Sequence, residues 1–149
     1  MSLINKISES IMSAMKEKDT VSLESLRAIK SSLLLAQTQK GNNLEISQEE
    51  EIKILQKLVK QRKESADIYL AQNRSELAEV EINQSKIIEK FLPEQMSLDK
   101  IEKIISELID KTGASGMKDM GKIMGMASKQ LSGKADGKTI SNIVRAKLS

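Results

Sequence analysis

Apolar residues recur every three or four positions along almost the whole chain. The first such row holds Ile4, Ile7, Ile11 and Met15. This spacing places apolar side chains on one face of a helix that has about 3.6 residues per turn. No segment shows the strict apolar–polar alternation that is typical of a half-buried strand. The pattern therefore predicts an all-α protein.

Capping residues and breaks divide this pattern into separate predicted helices. Ser47 and Glu50 have the spacing of a capping box, and Asn73 with Glu76 gives a second signal of the same kind. Single capping residues precede three further apolar rows, at Asp19, Ser97 and Asp136. The predicted helices cover about residues 4–15, 19–36, 47–70, 73–91, 97–110, 115–131 and 136–148.

Pro93 is the one proline of the chain, and it marks a boundary. The residue before a proline avoids the α conformation, so the fourth predicted helix ends there. We expect residues 1–93 to form an N-terminal domain of four helices, arranged as two helical hairpins. Residues 94–149 are expected to form a small C-terminal domain of three helices. Gly41-Asn42-Asn43 is a predicted break between the second and third helices.

The composition supports a helical core and limits the available chemistry. One Tyr, one Phe and no Trp leave the core to Leu, Ile, Val, Met and Ala. The lack of His and Cys excludes disulfides, Cys/His zinc sites and imidazole or thiolate catalysis. We also find no phosphate-binding glycine loop and no local carboxylate pair. We therefore expect no catalytic residue, no metal site and no cofactor.

No apolar run approaches the roughly 20 residues of a membrane span, and the N-terminus lacks the layout of a signal peptide. We expect a cytoplasmic protein with no membrane contact.

The last 39 residues carry a strong charge asymmetry. They hold eight basic residues and two acidic ones, a net charge of +6, together with six of the seven glycines. Such a segment favours an anionic partner. The candidate nucleic-acid-binding residues are Lys118, Lys122, Lys129, Lys134, Lys138 and Arg145.

Two glycines lie beside the lysines of the predicted sixth helix. On a wheel of about 100° per residue, Lys118, Lys122 and Lys129 fall within about 40° of each other, opposite the apolar face. Gly121 and Gly125 fall at the edge of this row, although each costs a helix about 0.5–1 kcal/mol relative to Ala. We interpret them as positions of close approach, either by a neighbouring helix of the same domain or by a phosphate backbone.

Two arginines lie on or beside apolar rows. Arg62 falls among Leu55, Leu58 and Ala66 of the third predicted helix. A guanidinium on such a face either extends its head to water or pairs with a carboxylate or helix end. We favour a structural pairing over a functional use. Arg27, beside the apolar row of the second helix, is interpreted in the same way.

Several segments resemble one protein family. They are Leu26-Arg-Ala-Ile-Lys30, Leu58-Val-Lys-Gln-Arg-Lys-Glu-Ser65, Phe91-Leu-Pro-Glu-Gln95, Gly113-Ala-Ser-Gly-Met-Lys-Asp-Met-Gly-Lys-Ile-Met-Gly125 and Gly133-Lys-Ala-Asp-Gly-Lys138. Together they are similar to the YqeY-like proteins, which are related to the tail of the GatB subunit of glutamine-dependent aminoacyl-tRNA amidotransferase. The resemblance implies an all-helical protein and a tRNA contact through the basic C-terminal residues. The resemblance also implies that the carbon–nitrogen ligase activity of that enzyme, with glutamine as amido donor, lies in its other domains, so assigning the activity to this chain would rest on homology alone.

The sequence is compatible with three functions. The leading hypothesis is a non-catalytic module that associates with tRNA or another RNA. The second is a protein-interaction adaptor on a translation-related enzyme, with Met117, Met120, Met124 and Met126 as adaptable contact surface unless they belong to the core. The third, an enzyme, would need titratable groups that only the fold brings together.

Overall fold

The computed structural model describes residues 2–41 and 45–149 of the chain, and within these ranges it is helical without strands. The prediction of an all-α protein is confirmed. The described residues form seven α-helices: α1 (Leu3–Glu17), α2 (Thr20–Lys40), α3 (Gln48–Ala71), α4 (Ser75–Glu89), α5 (Leu98–Thr112), α6 (Met120–Gln130) and α7 (Gly137–Leu148). A 3₁₀ turn, Met117–Asp119, precedes α6. Gly41 follows α2 at the predicted break, whereas Asn42 and Asn43 lie outside the described residues.

Contacts group the chain into two compact units, Met1–Leu92 and Pro93–Ser149, and each is described here by itself. In the first unit α1 packs along α2, α3 packs along α4, and α2 also packs on α4. The buried core of this unit consists of aliphatic side chains: Ile7, Ala14, Leu26, Ile29, Leu33, Leu55, Leu58, Val59 and Ile88.

Side-chain caps set where most of the helices begin. At α3, the Ser47 hydroxyl accepts a hydrogen bond from the Glu50 amide at 3.2 Å, and the Glu50 carboxylate accepts one from the Ser47 amide at 3.1 Å. This confirms the capping box. Asp19, Ser97 and Asp136 each accept a hydrogen bond from the amide three residues later, as predicted for N-caps.

The second predicted capping box, from Asn73 to Glu76, is wrong. Asn73 adopts a left-handed conformation with φ of 58°, and α4 begins at Ser75 after Arg74, which makes no side-chain cap. The Glu76 carboxylate instead accepts a hydrogen bond from the Arg74 Nε at 2.8 Å. The Asn73 amide donates to the Leu70 carbonyl at 3.1 Å in the α3–α4 turn, and the N-cap position of α4 belongs to Arg74.

The second unit is a three-helix arrangement in which α6 contacts both α5 and α7. Its core comprises Ile101, Ile105, Leu108, Ile123, Ala127, Leu131, Ala135, Ile140, Val144 and Leu148. The segment before α5 is bonded to the α6–α7 turn. The Gln95 side-chain amide donates to the Gly133 carbonyl at 2.6 Å, and the Met96 amide donates to the Lys134 carbonyl at 2.9 Å. These bonds hold the turn against the start of α5.

We expect the unfolding free energy to decrease at acid pH, because two carboxyl groups that cap helices, those of Asp19 and Glu50, become protonated there. The hydrogen bonds from Ser22 lower the pKa of Asp19 below its ordinary 3.8. The hydrogen bond and charge of Lys40, together with Ser47, lower the pKa of Glu50 below 4.5. A lowered carboxyl pKa contributes stability above the unfolded value, and this is lost as pH falls through the folded value.

Urea unfolding measured between pH 7 and pH 2 checks this expectation. Asp19→Asn keeps a capping oxygen but does not titrate, so its stability should change less steeply below about pH 4. Glu79→Gln, at an exposed position of α4, serves as the control. Equal slopes for the parent and Asp19→Asn would contradict the expectation.

Candidate nucleic-acid interface

The α6 helix starts later than the sequence pattern predicts. The pattern predicts a helix from Ser115, but residues 117–119 form a 3₁₀ turn and α6 begins at Met120. The Asp119 carboxylate accepts a hydrogen bond from the Ser115 amide at 2.8 Å and thereby closes this turn. A 3₁₀ turn advances about 120° per residue. Lys118 is therefore rotated further from Lys122 than a regular helix would place it.

Burial of the apolar face fixes which residues of α6 point outward. Ile123 and Ala127 are fully buried in the core of the second unit. Lys122 and Lys129 are exposed, and they lie within about 20° of each other around the helix because they are seven residues apart. Lys122 and Lys129, the part of the predicted lysine row that lies on α6, therefore share the solvent-exposed side of this helix.

The six candidate cations are all exposed: Lys118, Lys122, Lys129, Lys134, Lys138 and Arg145. The ion pairs found among the described residues all lie between residues 40 and 89, so none of them neutralises these cations. Their charge is available to solvent or to an anion.

The six cations are distributed over one packed unit. Lys118 lies in the 3₁₀ turn, Lys122 and Lys129 on α6, and Lys134 in the α6–α7 turn. Lys138 and Arg145 lie seven residues apart on α7, whose buried residues Ile140 and Val144 face the core. Because α7 contacts both α6 and the 3₁₀ turn, the elements that carry the cations are direct neighbours.

Gly121 and Gly125 lie on the exposed side of α6 and have open space around them. A Cβ added at either position would meet no atom within 4 Å beyond its own helical turn. Within the described residues, a neighbouring helix therefore does not account for these glycines. The hypothesis that a phosphate backbone approaches them stays a prediction.

Arg62 is half-buried on α3 and makes no ion pair within the described residues. Its Nη1 donates to the Leu58 carbonyl of the preceding turn at 3.4 Å. Its Nε is buried, and no hydrogen-bond partner reaches it in the described part of the chain. Among the described residues this arginine pairs with no carboxylate and contacts the backbone of its own helix, so its structural role stays a prediction. Arg27 is exposed on α2.

A groove in the first unit was not anticipated from the sequence. It has a volume of about 260 Å³ and is lined by Ser2, Ile4, Leu33, Gln37, Glu45, Ile46 and Glu51. Burial raises the pKa of the Glu51 carboxyl above its ordinary 4.5, and the Lys6 charge partly opposes this rise. These residues come from α1, α2, α3 and the segments that precede α1 and α3, so no local motif marks the groove.

None of the described helices combines the length and apolar character needed to cross a bilayer.

Comparison with known proteins gives one family over nearly the whole chain. A family model described as "Yqey-like protein" matches residues 4–148. "Altered inheritance of mitochondria protein 41, mitochondrial" from Meyerozyma guilliermondii is 30% identical over 132 residues. That match covers 83% of this chain and 65% of the relative, so the chain spans just under two thirds of that protein's length.

Shorter matches connect the chain to a larger protein, the E subunit of glutamyl-tRNA(Gln) amidotransferase. The protein of this name from Thermococcus gammatolerans is 42% identical over 57 residues, which are 36% of this chain and 9% of that protein. Its counterpart from Thermococcus sibiricus is 48% identical over 48 residues, which are 32% of this chain and 8% of the counterpart.

We expect Gly121→Ala and Gly125→Ala each to raise the unfolding free energy by about 0.5–1 kcal/mol, because Ala favours the helix and its methyl group meets open space. Thermal and urea unfolding of the single variants check this. Gly113→Ala is the control: its φ of 69° is left-handed, so this change should destabilise by about 1 kcal/mol or more. Destabilisation by either α6 substitution would contradict the open environment.

We expect Arg62→Met to keep or raise the unfolding free energy. Met retains apolar packing and removes a buried N–H that lacks a partner. Arg62→Ala should destabilise, because it also removes the packing of the side-chain stem. Urea unfolding of both variants distinguishes the two effects, and a loss above about 2 kcal/mol for Arg62→Met would indicate a pairing that holds the fold together.

Proposed function

The chain belongs to the YqeY-like family, and from this premise we propose that it is a non-catalytic module that associates with tRNA or another RNA. The proposal assigns the contact to the outward face of α6 and the cations on the neighbouring elements. One observation carries it: a row of exposed lysines, with no carboxylate partner among the described residues, lies beside two helical glycines in open space.

The names of two relatives support an RNA partner. The name of the two Thermococcus amidotransferase proteins refers to glutamyl-tRNA(Gln). Because the shared segment covers less than a tenth of each of them, we extend to this chain an association with tRNA and no amidotransferase activity.

Physical chemistry gives the lysines and glycines complementary roles. Exposed ammonium groups attract phosphates and release the counterions condensed around them, so binding weakens as salt rises. Helical positions without a Cβ let a sugar–phosphate backbone approach the main chain more closely. The two features together account for glycines that otherwise cost α6 stability.

The proposal includes the domain organisation and compartment expected from the sequence. Residues 1–93 would be a four-helix domain, and residues 94–149 a three-helix domain similar to the amidotransferase tail. The grouping of contacts at Pro93 supports this division. We propose a cytoplasmic location, while the name of the Meyerozyma guilliermondii relative places that protein in mitochondria.

A protein-interaction adaptor is the second candidate, and the methionines favour it in part. Met117 and Met126 are 48% and 36% exposed, whereas Met120 and Met124 pack against the core of the second unit. The exposed pair gives adaptable apolar contact area next to the lysines. Purification from a nuclease-treated lysate with a stoichiometric protein partner and no RNA would favour this candidate.

We expect a tRNA transcript to bind the parent chain weakly at low salt, and Lys118→Glu/Lys122→Glu/Lys129→Glu to abolish this binding. Filter binding across salt concentrations measures the affinity and its salt slope, which falls by about 0.7–0.9 for each phosphate that the protein no longer neutralises. The control is Lys16→Glu/Lys57→Glu/Lys60→Glu, which changes net charge equally at exposed positions of α1 and α3. No tRNA affinity in the parent, or equal losses in both variants, would refute the proposal.

The same tRNA-binding assay also tests whether the ligand approaches Gly121 and Gly125. Gly121→Ala/Gly125→Ala should bind tRNA more weakly than the parent although the fold becomes more stable, because each methyl group keeps the ligand away from the helix backbone. Unchanged affinity in this variant would mean that the ligand does not approach these positions.

A further inference from the structure

The outward surface of α6 differs from the surfaces that hold unpaired bases. Its exposed residues include Gly121, Lys122, Gly125, Ser128 and Lys129. Proteins that bind single strands stack bases on aromatic side chains, and each stack contributes about 1–3 kcal/mol. The two aromatic residues of the chain, Tyr69 and Phe91, both belong to the other unit. Apart from Met126, which is 36% exposed, this face of α6 carries ammonium groups, one hydroxyl group and two glycines.

From this chemistry we propose that the face of α6 recognises double-stranded RNA through the backbone of an A-form helix, across its minor groove. The inference rests on the proposed RNA association and states which RNA feature is bound. A-form RNA has a wide, shallow minor groove that displays 2′-hydroxyl groups between two rows of phosphates. Recognition there uses shape, phosphate and 2′-hydroxyl contacts and requires no stacking.

The positions along α6 fit these contacts. Lys122 and Lys129 lie seven residues apart, which is about 10 Å along the helix axis. Their ammonium groups therefore reach separate phosphates of one RNA segment. Gly121, Gly125 and Ser128 form the adjoining strip on the wheel, within about 60° of one another. A strip of such small residues lies flat against a shallow groove. The exposed Ser128 hydroxyl can either donate a hydrogen bond to a 2′-hydroxyl or accept one from it.

The lysines provide the affinity in this arrangement, and Ser128 distinguishes RNA from DNA. Ammonium–phosphate contacts do not depend on base sequence. The 2′-hydroxyl is the group that differs between RNA and DNA at a given backbone position. Binding should therefore be insensitive to sequence, selective for duplex over single strand, and selective for RNA over DNA.

The test uses the full chain and measures fluorescence anisotropy with three probes. The first is an RNA duplex of about 20 base pairs, which is longer than the roughly 16 base pairs that double-stranded-RNA-binding domains span. The other two are a DNA duplex of the same sequence and a single strand of the RNA duplex. We expect the RNA duplex to bind about tenfold more tightly than the other two probes. Lys122→Gln/Lys129→Gln should weaken duplex binding about tenfold or more, with Lys57→Gln/Lys60→Gln as the charge-matched control.

The Ser128→Ala variant reports on 2′-hydroxyl recognition and should reduce the preference for RNA over DNA. An RNA strand or DNA duplex that binds as tightly as the RNA duplex overturns this inference. If tRNA still binds under those conditions, the RNA association stands and only the A-form contact fails. If neither tRNA nor any of the three probes binds, both fail. An unchanged RNA preference in Ser128→Ala excludes this hydroxyl as the discriminating group.

Discussion

Burial of Ile123 and Ala127 in an aliphatic core fixes the rotation of α6. Once these two side chains are enclosed by α5 and α7, the helix must place Lys122, Gly125 and Lys129 on its opposite side. The apolar contacts supply the stability, and the same contacts define the candidate interface. The surface of the second unit is therefore a consequence of how its core is packed.

Local hydrogen bonds complete this arrangement at the ends of the helices. The Asp119 carboxylate closes the turn that leads into α6, and Asp136 caps α7 directly after the α6–α7 turn. Gln95 and Met96 bond to that turn from the segment before α5. Each bond satisfies a backbone group that would otherwise lack a partner. Together they hold α6 and α7, and the cations that they carry, in one orientation within the unit.

The sequence predicted the features that depend on neighbouring residues. The apolar rows indicated the helices, and the Ser47 capping box and the Asp19, Ser97 and Asp136 caps have the expected hydrogen bonds. The predicted starts of α4 and α6 were wrong, because the local backbone conformation, and not the residue pattern, sets where these helices begin. Asn73 closes a turn instead of capping α4, and residues 117–119 wind more tightly than an α-helix.

The sequence could not resolve features that depend on tertiary contacts. The open space around Gly121 and Gly125 and the buried Nε of Arg62 follow from which helices pack together. The groove lined by Ser2, Leu33 and Glu51 likewise combines residues from separate parts of the first unit. Spacing along the chain predicted the lysine face of α6 because that face belongs to one helix.

An RNA backbone that contacts the outward face of α6 should perturb the amides of that face. Titration of a tRNA transcript into the ¹⁵N-labelled full chain, followed by amide NMR, measures this. We expect the Gly121, Lys122, Gly125 and Lys129 amides to show the largest shifts, while those of the buried Ile123 and Ala127 change less. Shifts confined to residues 1–92, or no shifts under low-salt conditions, would mean that RNA does not bind at α6.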